Sequence, residues 1–475
     1  MTFTTPTFLI FLVIIFGVYW RLRRKGQNIA ILAASLVFYG WWDWRFLFLL
    51  LSTAGLDYCT ARGMMGSANP RVRRGLLALS IGANLATLGF FKYFNFFLTS
   101  TEAALRSLGL PMEPVALRIV LPIGISFYTF QALSYTIDVY RGRLAAVRDP
   151  IQYFCFITFF PHMVAGPIMC AKNLLHQFGV DRRFDWQEAS EGCRLMLWGF
   201  FKKMVIADNL ARVAAAAYAD PGAASGWAII WGTYAFAFQI YCDFSGYTDI
   251  AIGCARLFGI HLMRNFAYPY FAQDIREFWR RWHISLSSWF RDYVYIPLGG
   301  SRLSLSRTHL NVMIVFVVSG FWHGANWTFL IWGFLHGLYF LLWPARFMNR
   351  AGDDVPGGTG VLPAPGALLR MLVNFHLVLF AWVFFRAASL GDAFLAIRKA
   401  ALALASLHFV APPLSMAAFI VLLLAVDWAG RTELGPLMAL GRWPRPARRL
   451  AYYAAAAGIL LFADLHYTPF IYFQF

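Results

Sequence analysis

Apolar runs on the order of 20 residues recur along this chain, separated by short polar or basic corners. A hydrocarbon core about 30 Å thick needs about that many residues per helix. The pattern therefore predicts an all-α polytopic membrane protein with about 11 transmembrane helices, some broken or re-entrant. The first run, Thr7 to Trp20, is followed by the basic cluster Arg21, Arg23, Arg24 and Lys25, and no small-residue cleavage site is seen. A signal peptide carries its positive charge before the apolar stretch, so this run is expected to be a retained helix with its N-terminus outside. The next corners alternate. Asp43 to Arg45 is neutral, Arg62 with Arg71, Arg73 and Arg74 is basic, Thr101 to Pro114 carries Glu102 and Glu113, and Arg141, Arg143 and Arg148 are basic again. That is the in, out, in, out, in order of the positive-inside rule.

Later segments are less regular. Phe154 to Ile168 is apolar but interrupted by Pro161, His162, Gly166 and Pro167, as expected of backbone that is tolerated at membrane depth only inside a protein wall. Residues 351–366, rich in Gly, Pro and Asp, form the clearest linker. The chain is thus divided into N-terminal membrane helices (1–140), a core with a basic-aromatic segment (141–350), the linker, and C-terminal membrane helices (367–475). No internal repeat is evident.

Composition agrees with the pattern. Of 475 residues 60% are hydrophobic and 13% charged, against roughly 25% charged in an ordinary soluble domain. The net charge of +18 falls in short loops between apolar spans, which fits positive-inside bias and membrane lipid, not nucleic acid. The six cysteines include no CxxC pair, so neither a disulfide framework nor a zinc site is indicated.

Two stretches carry candidate chemistry. In the first, Arg276, Arg280, His283 and Ser287 follow at helical spacing, with Trp279, Trp282, Leu286 and Trp289 as an apolar stripe beside them. This is the pattern of an interfacial helix. It suits a headgroup anchor with snorkelling arginines, and equally an entrance holding the phosphates of an anionic donor. The glycine pair Gly299–Gly300 is a turn signal; no phosphate-binding GxxxxGK[ST] loop is present.

In the second, Phe321 to Trp327, an ionisable His323 sits in an apolar segment between Gly320 and Gly324. On one helix His323, Asn326 and Trp327 would share a face. A neutral imidazole there could take the proton of an incoming hydroxyl, or it could be a core histidine satisfied by a helix carbonyl. His336 lies thirteen positions on from His323, which on one helix puts it on another side, with no carboxylate beside either; no metal is expected. A GxSxG elbow is missing. Asp243 and Asp249 could relay protons, but their plainest role is to cap helices and fix a tight turn.

Several longer motifs occur together in one order: Leu121-Pro122-Ile123-Gly124-Ile125-Ser126-Phe127-Tyr128, Phe160-Pro161-His162 with Ala165-Gly166-Pro167, Asp243-Phe244-Ser245-Gly246-Tyr247, Glu277-Phe278-Trp279-Arg280-Arg281-Trp282-His283, and Trp322-His323-Gly324-Ala325. In these the chain resembles the membrane-bound O-acyltransferases, nearly end to end, and within them the bacterial alginate O-acetylation and D-alanyl-teichoic-acid branch. The resemblance implies a ring of helices around a central catalytic tunnel, with His323 as catalytic histidine and His283 as the second histidine on its cytoplasmic side. It leads us to expect Arg280, Arg281, Trp282 and Ser287 at the donor, and Trp322, Asn326, Asp243 and His162 along the tunnel. It further implies acetyl-CoA as cytosolic donor with no permanently bound cofactor, a polysaccharide acceptor reached directly or through an exported periplasmic or extracellular acetyltransferase or acceptor protein, and a bacterial inner-membrane location. Three alternatives stand beside it: D-alanyl transfer from a carrier protein, a transporter or flippase with a proton-relay histidine, and a scaffold whose histidine is structural.

Overall fold

The computed structural model describes residues 1–110, 117, 119–343, 355–358, 360–406, 408–463 and 470–471. Among them every regular element is helical and no strand occurs. The linker expected at 351–366 lies partly outside the described residues. The chain packs as two compact units, one of residues 1–189 with 255–262, the other of residues 190–254 with 263–475.

The first unit holds α1 (Pro6–Tyr19), α2 (Arg24–Asp43), α3 (Arg45–Gly66), α4 (Pro70–Leu88), α5 (Phe94–Ser107), α6 (Ile125–Tyr140), α7 (Pro150–Thr158), α8 (Phe160–Met163) and α9 (Ala171–Leu174). Local chemistry starts several of them. Asn69 and Asp149 each accept a hydrogen bond from the backbone two residues on and are followed by a proline, the N-cap and N1 arrangement. Asp57 of α3 is fully buried and accepts from Ser80 at 2.5 Å and from Asn84 at 2.9 Å, tying α3 to α4 through neutral donors. The expected interruption after Phe154 is present: α7 ends at Thr158, α8 runs for four residues, and every residue from Cys155 to Ala171 is buried. Gly124, at φ +75°, starts α6 directly against this break, where a Cβ would stand 2.7 Å from the Met163 carbonyl oxygen.

The second unit contains most of α10 (Trp186–Phe200), a π-helical stretch Phe201–Ala207, α11 (Asp208–Ala219), most of α12 (Gly226–Leu257), α13 (Ile275–Arg281), α14 (Ile284–Phe290), α15 (Leu305–His323), α16 (Trp327–Leu342), α17 (Pro365–Arg386), α18 (Leu390–Ala405), α19 (Leu414–Gly430), α20 (Pro436–Ala439) and α21 (Arg445–Phe462). Three helical stretches among the described residues are long and apolar enough to cross a membrane, Pro70–Ser107, Leu305–His323 and Pro365–Arg386. Shorter apolar helices are Pro6–Tyr19, Trp327–Leu342 and Leu414–Gly430.

The structure corrects one expectation here. Asp243 and Asp249 neither cap a helix nor fix a turn; both lie inside the 32-residue α12. Their carboxylates face the π-helical stretch, where Lys203 sits 2.8 Å from Asp243 and 2.7 Å from Asp208, and Lys202 sits 2.8 Å from Asp249. The two segments can come this close because Gly199 and Gly246 meet backbone to backbone: a Cβ on either would stand 2.6 or 2.7 Å from the other's carbonyl oxygen. Asp243 also accepts from the Ile471 backbone N–H at 2.8 Å.

Candidate active site

The basic-aromatic run is not one helix. α13 begins with a capping box in which Asp274 accepts from the Glu277 N–H at 2.7 Å and the Glu277 carboxylate accepts from the Gln273 N–H at 2.9 Å. It ends at Arg281, Trp282 is extended, and His283 adopts the left-handed region at φ 44°. α14 then starts in a new direction, so Arg276, Arg280, His283 and Ser287 do not form one helical face. Long-range bonds hold this break: the Ala267 N–H donates to the Arg281 carbonyl at 2.9 Å, and the Ile284 N–H donates to the Asn265 carbonyl at 2.9 Å.

The break separates the predicted donor residues. Arg276, Arg280 and Arg291 line a cavity of about 560 Å3 together with Ser287 and the apolar Trp279 and Phe316. Arg280 is exposed and meets no carboxylate among the described residues. Arg281 points elsewhere; it is 9% exposed, and its Nε donates to Glu277 at 2.8 Å. Trp282 is sunk into the aromatic core, 5.2 Å from Trp382. Burial of this ion pair and this ring makes both residues part of the frame that holds α13.

The expected shared face of His323, Asn326 and Trp327 is likewise divided. α15 ends at His323, Gly324 is extended, and Asn326 is the N-cap of α16, accepting from the Thr328 N–H at 3.1 Å while donating to the Ala388 carbonyl at 2.9 Å. Trp327 is 55% exposed. α15 and α16 form a hairpin, which also overturns the expectation that His323 and His336 face different sides of one helix. Both rings pack on Trp332, His323 at 5.0 Å and His336 at 4.8 Å between centroids. The nitrogens of His336 meet no hydrogen-bond partner among the described residues.

His323 is 2% exposed and is walled by Trp322, Trp332 and Phe385 at 5.0, 5.0 and 5.4 Å. His283, fully buried, lies 6.5 Å from it and 6.1 Å from Trp322, with Phe244 edge-on at 4.7 Å. Two buried imidazoles thus share one aromatic chamber. Ser319, one helical turn before His323 on α15, lines the arginine-bearing cavity, so its inner end approaches the chamber. Asp243 reaches the site indirectly: it precedes Phe244 and its own carboxylate is held by Lys203. His162 lies in the first unit, buried against Phe159 at 5.7 Å. Sequence reasoning missed Asn265, whose side-chain oxygen stands 3.2 Å from His283 Nδ1; only its nearness in the fold, 18 positions away, reveals it. No three His, Cys, Asp or Glu side chains among the described residues are grouped to hold a metal ion.

Comparison with known proteins gives this arrangement its setting. Residues 143–350, which contain both histidines and the cavity, match the family model described as MBOAT, membrane-bound O-acyltransferase family. A protein of Azotobacter vinelandii named probable alginate O-acetylase AlgI is 40% identical over 399 residues, covering 83% of this chain and 76% of its own. A peptidoglycan O-acetyltransferase of Helicobacter pylori is 35% identical over 427 residues, covering 83% and 78%. A teichoic acid D-alanyltransferase of Streptococcus thermophilus is 28% identical over 281 residues, covering 55% and 68%. With paired buried histidines beside an arginine-lined cavity, apolar helices long enough to span a bilayer and relatives matched along most of their length, this chain belongs to the membrane-bound O-acyltransferase family and is a multi-pass membrane O-acyltransferase.

Proposed function

We propose that the protein takes an acetyl group from acetyl-CoA on the cytoplasmic side of the bacterial inner membrane and passes it across for O-acetylation of an extracytoplasmic polysaccharide such as alginate, directly or through an exported partner. The observation that carries this reading is the approach of the arginine-lined cavity, at Ser319, to within one helical turn of His323. Guanidinium forks suit the phosphates of a charged donor, and burial of both imidazoles among aromatic rings suits acyl transfer, in which water is a competing acceptor. His323 acts as base on the incoming hydroxyl, and the tetrahedral carbon then expels the thiolate. Only the acyl group has to cross, since the donor is cytosolic and the polymer outside. The same reading carries about 11 spans with an outside N-terminus.

Acetyl is favoured over D-alanyl by the relatives: two that are named for O-acetylation are 40% and 35% identical, the D-alanyltransferase 28%. The test is loss of radiolabelled acetyl from acetyl-CoA in proteoliposomes supplied with an acceptor oligosaccharide or exported acceptor protein. Turnover that disappears in His323→Ala supports the proposal. Absence of turnover in the unaltered protein, with D-alanyl loss from a charged carrier or accumulation of intact substrate in the vesicles, replaces it with the corresponding alternative.

A further inference from the structure

We infer that Asn265 is a positioning residue that holds His283 as its Nδ1–H tautomer, so that in the resting protein Nε2 is an acceptor. The argument starts from a backbone group whose role is fixed. The Ser285 N–H, in the first turn of α14, points at the Asn265 side chain and lies 3.1 Å from Oδ1. A backbone N–H can only donate, so the atom it meets is the amide oxygen; the reversed amide would set donor against donor. The Ser285 hydroxyl donates to the same oxygen at 2.9 Å. With the amide fixed, His283 Nδ1, 3.2 Å from Oδ1, has to carry a proton, because two lone pairs at that distance would repel. The competing arrangement, Ser285 Oγ donating to Nδ1, would need the longer 3.5 Å separation.

Two features show that this orientation is held against resistance. Asn265 is fully buried, and its Nδ2 meets no hydrogen-bond partner among the described residues, an arrangement that costs a buried donor free energy. His283 also keeps a left-handed backbone at φ 44°, which costs a non-glycine residue free energy. Both follow from anchoring the break between α13 and α14 on Asn265, whose backbone carbonyl accepts from Ile284 and whose side chain accepts from Ser285.

The chemical meaning rests on the function proposed above. In that transfer the hydroxyl oxygen bonds to the acyl carbon, the carbon–sulfur bond breaks, and the hydroxyl's proton leaves through the imidazoles to the departing sulfur. A His283 in this tautomer can receive a proton at Nε2, becoming imidazolium while Nδ1–H stays on Asn265; it has no Nε2 proton to give beforehand. His283 therefore shares the proton taken from the hydroxyl and does not polarise the thioester carbonyl. Among the described residues the rings packed on it include Phe244 of α12, Phe266, and Trp322 with the titratable His323 of α15. The neighbouring Asp243 is occupied by Lys203.

The experiment is nitrogen NMR on full-length histidine-labelled protein in detergent, with the His283 signal assigned by its loss in His283→Asn. Nδ1–H with an unprotonated Nε2 is expected, unchanged in Ser285→Ala, retained in Asn265→Asp, and lost in Asn265→Leu. In turnover assays Asn265→Asp should keep activity while the acid limb of its pH profile moves up by about one unit or more, because a carboxylate beside the ring favours imidazolium. Nε2–H in the unaltered protein, or the same tautomer in Asn265→Leu, overturns the inference. The tautomer is read without substrate, so a failure of acetyl-CoA turnover would strike the proposed function and leave this result standing or falling by itself.

Discussion

Gly320→Ala is the most demanding test of how the site is built. Gly320 lies three residues before His323 on α15, and a Cβ there would stand 2.2 Å from the Phe329 carbonyl oxygen and 3.2 Å from the Gly333 Cα of α16. Ordinary contact begins at 3.4 Å, and the obstacle is backbone, which cannot swing aside as a side chain can. The hairpin must therefore open by about 1 Å at this crossing. Overpacking of this kind costs about 1–3 kcal/mol, so the protein is expected to remain folded with reduced thermal stability. Its larger effect is on chemistry, since α16 carries Trp332, the ring against which His323 is set. A displacement of about 1 Å at a reacting group can lower turnover about 100-fold. The assay is kcat for acetyl-CoA turnover in proteoliposomes, with Gly55→Ala as control because a Cβ on Gly55 of α3 meets nothing within 4 Å. Turnover in Gly320→Ala equal to that of the control, at equal protein level, would refute the idea that close backbone approach positions His323.

Two further predictions separate residues that look alike in sequence. Arg280→Ala should raise KM for acetyl-CoA about tenfold, more at low salt, with stability unchanged, whereas Arg281→Met should leave Glu277 buried without its cation and destabilise by about 3–5 kcal/mol, with KM unchanged in the protein that still folds. Equal KM effects from the two would dissolve the distinction. Lys203→Met should sharply lower the thermal midpoint in detergent by stranding Asp208 and Asp243, and adding Asp243→Asn with Asp208→Asn should recover part of the loss; a single variant as stable as the parent would show that the pairs carry little.

Much of the site was legible because its residue types are costly where they stand. A histidine in an apolar run and a cluster of arginines among tryptophans both announce themselves by composition, and His323, His283 and Arg280 lie beside or within the chamber and cavity they pointed to. What periodicity could not reveal was where helices stop. Arg276 to Ser287 keeps good helical spacing through a break that is imposed by Asn265, a residue with no helical relation to it. The end at Gly324 was signalled by local chemistry, an extended glycine followed by a capping asparagine, yet the apolar pattern ran straight across it. Asp243 and Asp249 look like turn formers in the sequence because their partners, Lys202 and Lys203, lie some forty positions away and meet them only in the folded unit.

Those lysine–aspartate pairs bear on how the protein comes to exist. A helix handed to the lipid one at a time must tolerate hydrocarbon around every side chain, and an ionised lysine or aspartate at depth does so poorly. The π-helical stretch brings two lysines and α12 brings two aspartates, and α12 is not among the helices apolar enough to cross by themselves. Lys203 has Asp208 beside it within its own stretch, but Lys202 meets a carboxylate only when the two segments are side by side. Their synthesis is separated by α11, so the earlier segment must wait, sheltered at the insertion machinery or in water, until the later one arrives to complete it.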